Sequence, residues 1–285
     1  MSVINSVLRS VFDAVLYPFR GFPALVGLTV LSVFLAMGML MVFKATSNQD
    51  AITAVKKKIH ACLFEIRLFN DDLAAILRAQ IELLGHNLVY LRYALTPMAC
   101  MLVPVFLMMA QLQFHYGYHP ITPGDEALLK VSLAPGWEDS VPVQDADGFT
   151  KPKARLEVPD GLTIASPSVW IPDQSELDWR VRGDRPGDYQ VTVHLGDQSV
   201  TKDVRVGAER TVQRMSPVRP GHAFFAQLLY PAEPPLPKGA VDEITITYPT
   251  ADVWFLGWNL DWVWVLLILS IGFAFALKKR FGVTF

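Results

Sequence analysis

Apolar residues run without a charge from Ala24 to Phe43 and from Ala94 to Phe114, and with one acid, Asp261, from Val253 to Leu277. Each run reaches the ~20 residues a helix needs to cross the hydrocarbon core of a bilayer. They predict three transmembrane helices, over 23–44, 94–116 and 253–277. The first run exceeds the ~7–15 apolar residues of a signal peptide and is read as retained. Ahead of it, Val3, Val7, Val11, Ala14 and Val15 recur at helical spacing, with Arg9 and Asp13 on another face. That pattern predicts an amphipathic helix lying in the interface within residues 1–22. Pro18, Gly21 and Pro23 mark the bend into the membrane.

Between the first two runs the period stays helical but the opposite face turns polar. Ile52, Val55, Ile59, Cys62, Leu63, Ile66 and Phe69 give one arm, and Leu73, Ile76, Leu77, Leu84, Leu88 and Leu91 the other. Asn70-Asp71-Asp72 supplies a turn and an N-cap between them. An antiparallel helical hairpin over 45–93 follows, each arm of about 20 residues being roughly 30 Å long. From Ile121 the period drops to two. Short alternating runs at 128–134, 155–159, 162–166, 177–183, 189–196, 202–207, 223–231 and 243–249 are separated by turn residues, and most of the prolines lie among them. Strands at such spacing predict an all-β, immunoglobulin-like sandwich over 117–252, with Tyr189, Val191 and Val193 facing inward. The expected fold class is therefore an α-helical membrane protein with an added β-sandwich domain.

Charge sets the expected topology. Residues 44–93 carry seven Lys and Arg against five acids, and Lys278, Lys279 and Arg280 follow the third run. Residues 117–252 carry 13 basic and 20 acidic residues. Basic loops stay in the cytoplasm, so the hairpin and the tail at 278–285 are placed inside, and the N-terminus and the β-domain outside. Tyr116, Tyr118, Trp254, Trp258, Trp262 and Trp264 read as an aromatic belt at the outer interface. The chain has no N-x-Ser/Thr acceptor, and its two cysteines, Cys62 and Cys100, lie outside the β-region. The missing acceptor favours a prokaryotic membrane, here a bacterial inner one, and no intrachain disulfide is expected in the exported domain. A net charge of −2 gives no case for direct nucleic-acid binding.

Catalytic signatures are missing from the sequence: it has no Gly-rich phosphate loop, no Cys/His zinc spacing and no serine elbow. No enzyme activity, cofactor or metal is expected. His115 and His119 stand four apart, but two histidines near an interface read as polar anchors. Asp173, Glu176 and Asp178 read as surface acids. Polar residues inside the spans carry more information, because lipid does not solvate them. They are Thr29 and Ser32 in the first, Thr96, Gln111 and Gln113 in the second, and Asn259 and Asp261 in the third. Asp261 is expected near the outer interface, paired with Arg20. Pro97 and Pro104 bend or locally open the second span.

The order of elements resembles that of the YidC/Oxa/Alb superfamily of membrane protein insertases. It is most similar to the minimal three-span members, such as the archaeal YidC-like proteins and the insertase subunit of the eukaryotic ER membrane complex. Leu16-Tyr17-Pro18-Phe19 before the first span, Lys44 at its inner end, the hairpin at 49–93 and Leu95-Thr96-Pro97-Met98 opening the second span carry the resemblance. It covers residues 1–118 and 253–285. What it implies is a hydrophilic intramembrane groove that eases a short polar segment across a thinned bilayer. Thr29, Ser32, Lys44, Thr96 and Gln111 would line the groove. The hairpin, with Lys56, Lys57, Lys58, Leu73 and Leu77, would receive nascent membrane proteins or the ribosome. The three lysines also read as a solvated face or a contact for anionic lipid heads. Two departures stand out: the first span holds no arginine, and the β-domain separates spans two and three. They keep a second reading open, a structural subunit that docks its β-domain on an exported protein partner and its hairpin on a cytoplasmic one.

Overall fold

The computed structural model describes residues 2–69, 72–139, 141, 143–146, 149–207 and 212–283. Its helices are α1 (Ser2–Leu16), α2 (Ala24–Thr46), α3 (Gln49–Leu68), α4 (Leu73–Tyr116), α5 (Phe224–Leu229) and α6 (Trp262–Phe281). Its strands are β1 (Glu126–Leu133), β2 (Val143–Ala146), β3 (Phe149–Pro152), β4 (Ala154–Glu157), β5 (Leu162–Ile164), β6 (Val169–Ile171), β7 (Glu176–Gly183), β8 (Gly187–Leu195), β9 (Gln198–Val206), β10 (Val218–Pro220), β11 (Val241–Ile246), β12 (Asp252–Phe255) and β13 (Trp258–Asp261). Three helices, α2, α4 and α6, are long and apolar enough to cross a membrane. The chain divides into two compact units, Met1–Gly27 with Leu107–Val263, and Leu28–Phe106 with Trp264–Phe285.

The second unit is helical. Asn48 caps α3, its side chain accepting from the Ala51 N–H at 3.0 Å. Asp72 caps α4 by accepting from the N–H groups of Ala74 and Ala75 at 2.9 and 3.2 Å. Asn70 and Asp71, the rest of the expected turn, lie outside the described residues. α4 continues for 44 residues through Pro97 and Pro104, about 66 Å at 1.5 Å per residue. α2 buries Leu28, Ser32, Ala36 and Leu40, one stripe at four-residue spacing, and α6 buries Val265, Leu266 and Ser270. α3 buries Ile52, Val55 and Cys62, and Lys56 lies over the Tyr90 ring of α4 at 5.6 Å.

The first unit is β-rich. One sheet runs β10-β11-β1-β7-β5, with β6 also paired to β7, and a second runs β4-β8-β9. Among the described residues the ladders between these strands are antiparallel, and Ile121 adds a single parallel bridge to Val206 of β9. Alternation decides which faces meet: Leu129 and Val131 of β1, Leu177 and Val181 of β7, and Ile244 and Ile246 of β11 share one core with Val191, Val193 and Leu195 of β8. Tyr189 is half-buried against that core, and its hydroxyl donates to the Arg185 carbonyl at 2.9 Å. Gly161, at φ +109, lets it in: a Cβ there would collide with the Tyr189 hydroxyl.

Several sequence expectations change here. Residues 223–231, read as a strand, contain helix α5, since this Ala/Leu/Gln-rich segment has no β-branched residue to favour a sheet. The third apolar helix starts at Trp262 rather than at residue 253. Residues 252–261 instead form the hairpin β12–β13. Asn259 and Asp261 are therefore strand residues and not intramembrane polar residues of a helix. Asp261 accepts from the Val263 N–H at 2.8 Å and so starts α6, while Arg20 lies over the Tyr17 ring at 5.0 Å. The expected Arg20–Asp261 pair does not form. Trp262, assigned to the aromatic belt, is buried and donates from Nε1 to the Gln113 side-chain oxygen at 3.0 Å.

Candidate functional site

The sequence-predicted site residues fall in different surroundings. Ser32 is fully buried and donates to the Leu266 carbonyl at 3.4 Å, so its hydroxyl joins α2 to α6 and lines no open groove. Thr29 is half-buried. Lys44 is exposed at the end of α2. Thr96 is exposed, its hydroxyl donating back to the Arg92 carbonyl at 3.3 Å. Gln111 is buried in the β-rich unit, and its carbonyl lies 3.1 Å from His115 Nδ1. Thr29, Ser32, Lys44 and Thr96 belong to the helical unit and Gln111 to the β-rich one. On the hairpin, Lys57 and Lys58 are exposed and Lys56 is half-buried.

Leu73 and Leu77 belong to a larger feature. Leu73, Leu77, Ile81, Leu84, Leu88, Leu91, Leu95, Met98, Leu102 and Phe106 are all exposed. They recur every three or four residues, so they form one straight stripe along α4. The stripe covers 33 residue steps, about 50 Å of helix. It begins beside the turn of the hairpin and continues without a polar break into the apolar run Ala94–Phe114. A soluble protein seldom leaves so long an apolar patch uncovered.

In the β-rich unit, α1 is fastened by a polar network that the sequence did not announce. Asp13 accepts from His115 Nε2 at 3.1 Å and from Arg214. His115 Nδ1 faces the Gln111 carbonyl, so both ring nitrogens meet acceptors and both are engaged. Asn5 Nδ2 donates to the Gln227 carbonyl at 2.6 Å, and Arg9 to that of Ala232 at 3.4 Å. His119 lies beyond the end of α4, and its N–H donates to the Pro249 carbonyl at 2.9 Å. The four-residue histidine spacing therefore does not become a shared helical face. A cleft of about 630 Å³ opens here, lined by Phe22, His115, Tyr118, His119, Asp252 and Trp254 among others.

Burial alone would raise the Asp13 carboxyl, but the hydrogen bond from His115 and the charge of Arg214 outweigh it and hold it below the ordinary 3.8. A carboxyl depressed in the folded state contributes stability that is complete above its unfolded pKa and is lost as pH falls through the folded one. The docking of α1 is therefore expected to hold at neutral and mildly acidic pH and to loosen only below 3.8. Hydrogen exchange of α1 amides in the full chain, followed down in pH, measures this. Protection that persists well below that value would show that Asp13 does not hold the helix.

A second buried group ties β9 to the proline-rich segment before β11. Lys202 is completely buried and donates to Glu233 and to Ser216 Oγ, the latter at 3.0 Å. Arg219 adds a longer contact to Glu233 at 3.9 Å and donates to Thr201 Oγ1 at 2.8 Å. Burial pushes the Lys202 amine down, and Glu233 opposes that shift. Among the acids read as surface groups, Glu176 accepts from Ser132 at 3.2 Å and Lys130 at 3.5 Å. Asp178 is half-buried, and burial pushes its carboxyl up. Among the described residues, no group of three or more His, Cys, Asp or Glu side chains is placed to hold a metal ion.

No family model and no curated protein matches the chain. Two solved structures show a slight likeness. The S-layer protein SbsC domains 4 and 5 are 20% identical over 31% of this chain and 40% of that one, with a TM-score of 0.23. The S-layer protein rSbsC(31-844) is 14% identical over 50% of this chain and 22% of that one, also at 0.23. The chain thus spans less than half of either, and both scores lie far below those of a shared fold.

Proposed function

We propose that this chain is a membrane protein insertase or membrane chaperone of the YidC/Oxa/Alb kind, and that the stripe on α4 guides its clients. In this reading α2, the Ala94–Tyr116 part of α4, and α6 span a bacterial cytoplasmic membrane. The hairpin of α3 and α4 and the C-terminal end are cytoplasmic. The β-rich unit is an extracytoplasmic immunoglobulin-like sandwich. The bonds from α1 to Gln227, Ala232 and Arg214 support one part of this topology, since they require the N-terminal helix and the β-rich unit to share a side.

The observation that carries the proposal is the unbroken apolar stripe from Leu73 to Phe106. A newly made transmembrane segment exposes ~20 apolar residues to water before it reaches lipid. A matching apolar face beginning in the cytoplasm shelters it, and the same face leads onward into the bilayer. The gain is hydrophobic burial, about 25 cal/mol per Å² removed from water, and no covalent step is needed. Lys56, Lys57 and Lys58 of α3, the first of them over the Tyr90 ring of α4, suit the anionic surface of the membrane or of a ribosome.

The closed position of Ser32 favours the second reading, a fixed subunit of a membrane complex, because it removes one polar group from a groove. Photocrosslinking residues at Leu77 and Leu102, one near each end of the stripe, separate the two in cells. The insertase reading expects many newly made membrane proteins at both positions. One recurrent stoichiometric neighbour, with no nascent chains, would replace it with the subunit reading.

A further inference from the structure

The hairpin β12–β13 has a graded polarity. At its open end Asp252 pairs with Asp261, and toward its tip follow Val253 with Leu260, Trp254 with Asn259, and Phe255 with Trp258. Between the two acids the ribbon carries no charge. Val253, near the base, is buried, whereas Trp254, Leu256 and Trp258 are 67%, 80% and 73% exposed. Large apolar side chains are thus directed out of the protein at the end that lies farthest from the acids.

The turn strengthens the point. Leu256 has φ +50 and Gly257 φ +94, both left-handed, as a two-residue type I′ hairpin requires. Glycine, asparagine and aspartate suit the first of these positions, and leucine is disfavoured there by its Cβ. Leu256 occupies it although its side chain is four-fifths exposed and gains little packing in return. A conformational cost without an internal gain points to an external contact.

We propose that the tip of this hairpin, Trp254 to Trp258, is a wedge that embeds in the outer leaflet of the membrane. This rests on the reading of α6 as a membrane span. Asp261 ends β13 and caps α6, so the four residues of β13 keep the tip within ~13 Å of chain from the start of that span. Lipid is the occupant that fits: indole rings favour the headgroup level, the tip offers no charge for a protein partner to read, and the surface is continuous in sequence with the span. The wedge gives the β-rich unit a lipid contact besides its covalent connections to α2, α4 and α6.

The test uses the full chain, with Cys62→Ser and Cys100→Ser, in phosphatidylcholine vesicles. An environment-sensitive fluorophore is attached at Leu256→Cys, at Trp258→Cys as a second tip site, and at Ile271→Cys within α6. Quenching is compared between lipids carrying a shallow spin label and iodide present on both sides. The wedge expects both tip sites to lose most of their emission to the labelled lipid and to be shielded from iodide. Iodide quenching at the tip, with residue 271 shielded, would overturn the wedge and leave the span standing. Iodide quenching at all three sites would overturn both.

Discussion

Replacing Glu233 with leucine is expected to cost the β-rich unit about 3–5 kcal/mol, because it strands a charged lysine in a dry site. The side chains of Lys202 and Glu233 are 0% and 3% exposed, so water replaces neither partner. Ser216 still accepts from the amine in the variant, but it carries no opposite charge. Lys202→Met together with Glu233→Leu is expected to recover most of the loss, since removing both charges also removes the need to solvate them. Hydrogen exchange of β8 and β9 amides in the full chain reads both variants without isolating the unit. A single variant that costs less than about 1 kcal/mol, the range of an exposed ion pair, would show that the site admits water.

The second large effect follows from the proposed insertase reading. Leu77→Glu with Leu84→Glu places two carboxylates in the first third of the α4 stripe. Each leucine forfeits about 1.5–3 kcal/mol of burial against a client, before any cost of burying the new charge. The pair should therefore lower client capture by at least about a hundredfold. The expected readout is the loss of nascent-chain crosslinks at Leu102, downstream of the break. Because Leu77 and Leu84 are exposed, protection of the β-rich unit should not change. Undiminished crosslinking at Leu102 would mean that clients reach the membrane by another face.

Periodicity carried most of the architecture. The helical spacing from Ile52 to Phe69 and from Leu73 to Leu91 predicted α3 and the first half of α4, and strict alternation predicted β7, β8 and β9. The error at residues 252–261 has a physical cause. Window hydrophobicity does not distinguish a Trp-rich ribbon from the first turns of a helix, and Leu256-Gly257 is not a turn pair that sequence rules favour. The clearest missed signal was Lys202. It shares strand parity with Val204 and Val206, which are buried, so a lysine stood at an inward position and demanded a partner. Its partner Glu233 lies among prolines with no period at all, and only the fold brings the two together. The Asp13–His115–Arg214 network was hidden for the same reason, its members being 102 and 201 residues from Asp13. The groove residues came from a resemblance rather than from a pattern in this chain, and Ser32 shows the difference. A small polar residue in a span serves a groove or a helix contact equally well, and here it serves the contact.

The attachment of α1 also bears on how the protein is made. Asp13 reaches Arg214 across 201 residues, and Asn5 reaches Gln227 across 222. At ~5–20 residues per second, a ribosome needs roughly 10–40 s to bridge such a gap. During that interval the N-terminal helix has emerged but its docking site has not been synthesised. Until then water solvates the polar face, Asn5, Arg9 and Asp13, that later meets Gln227, Ala232 and Arg214. Of the elements in this unit, the one made earliest thus waits longest for its docking site.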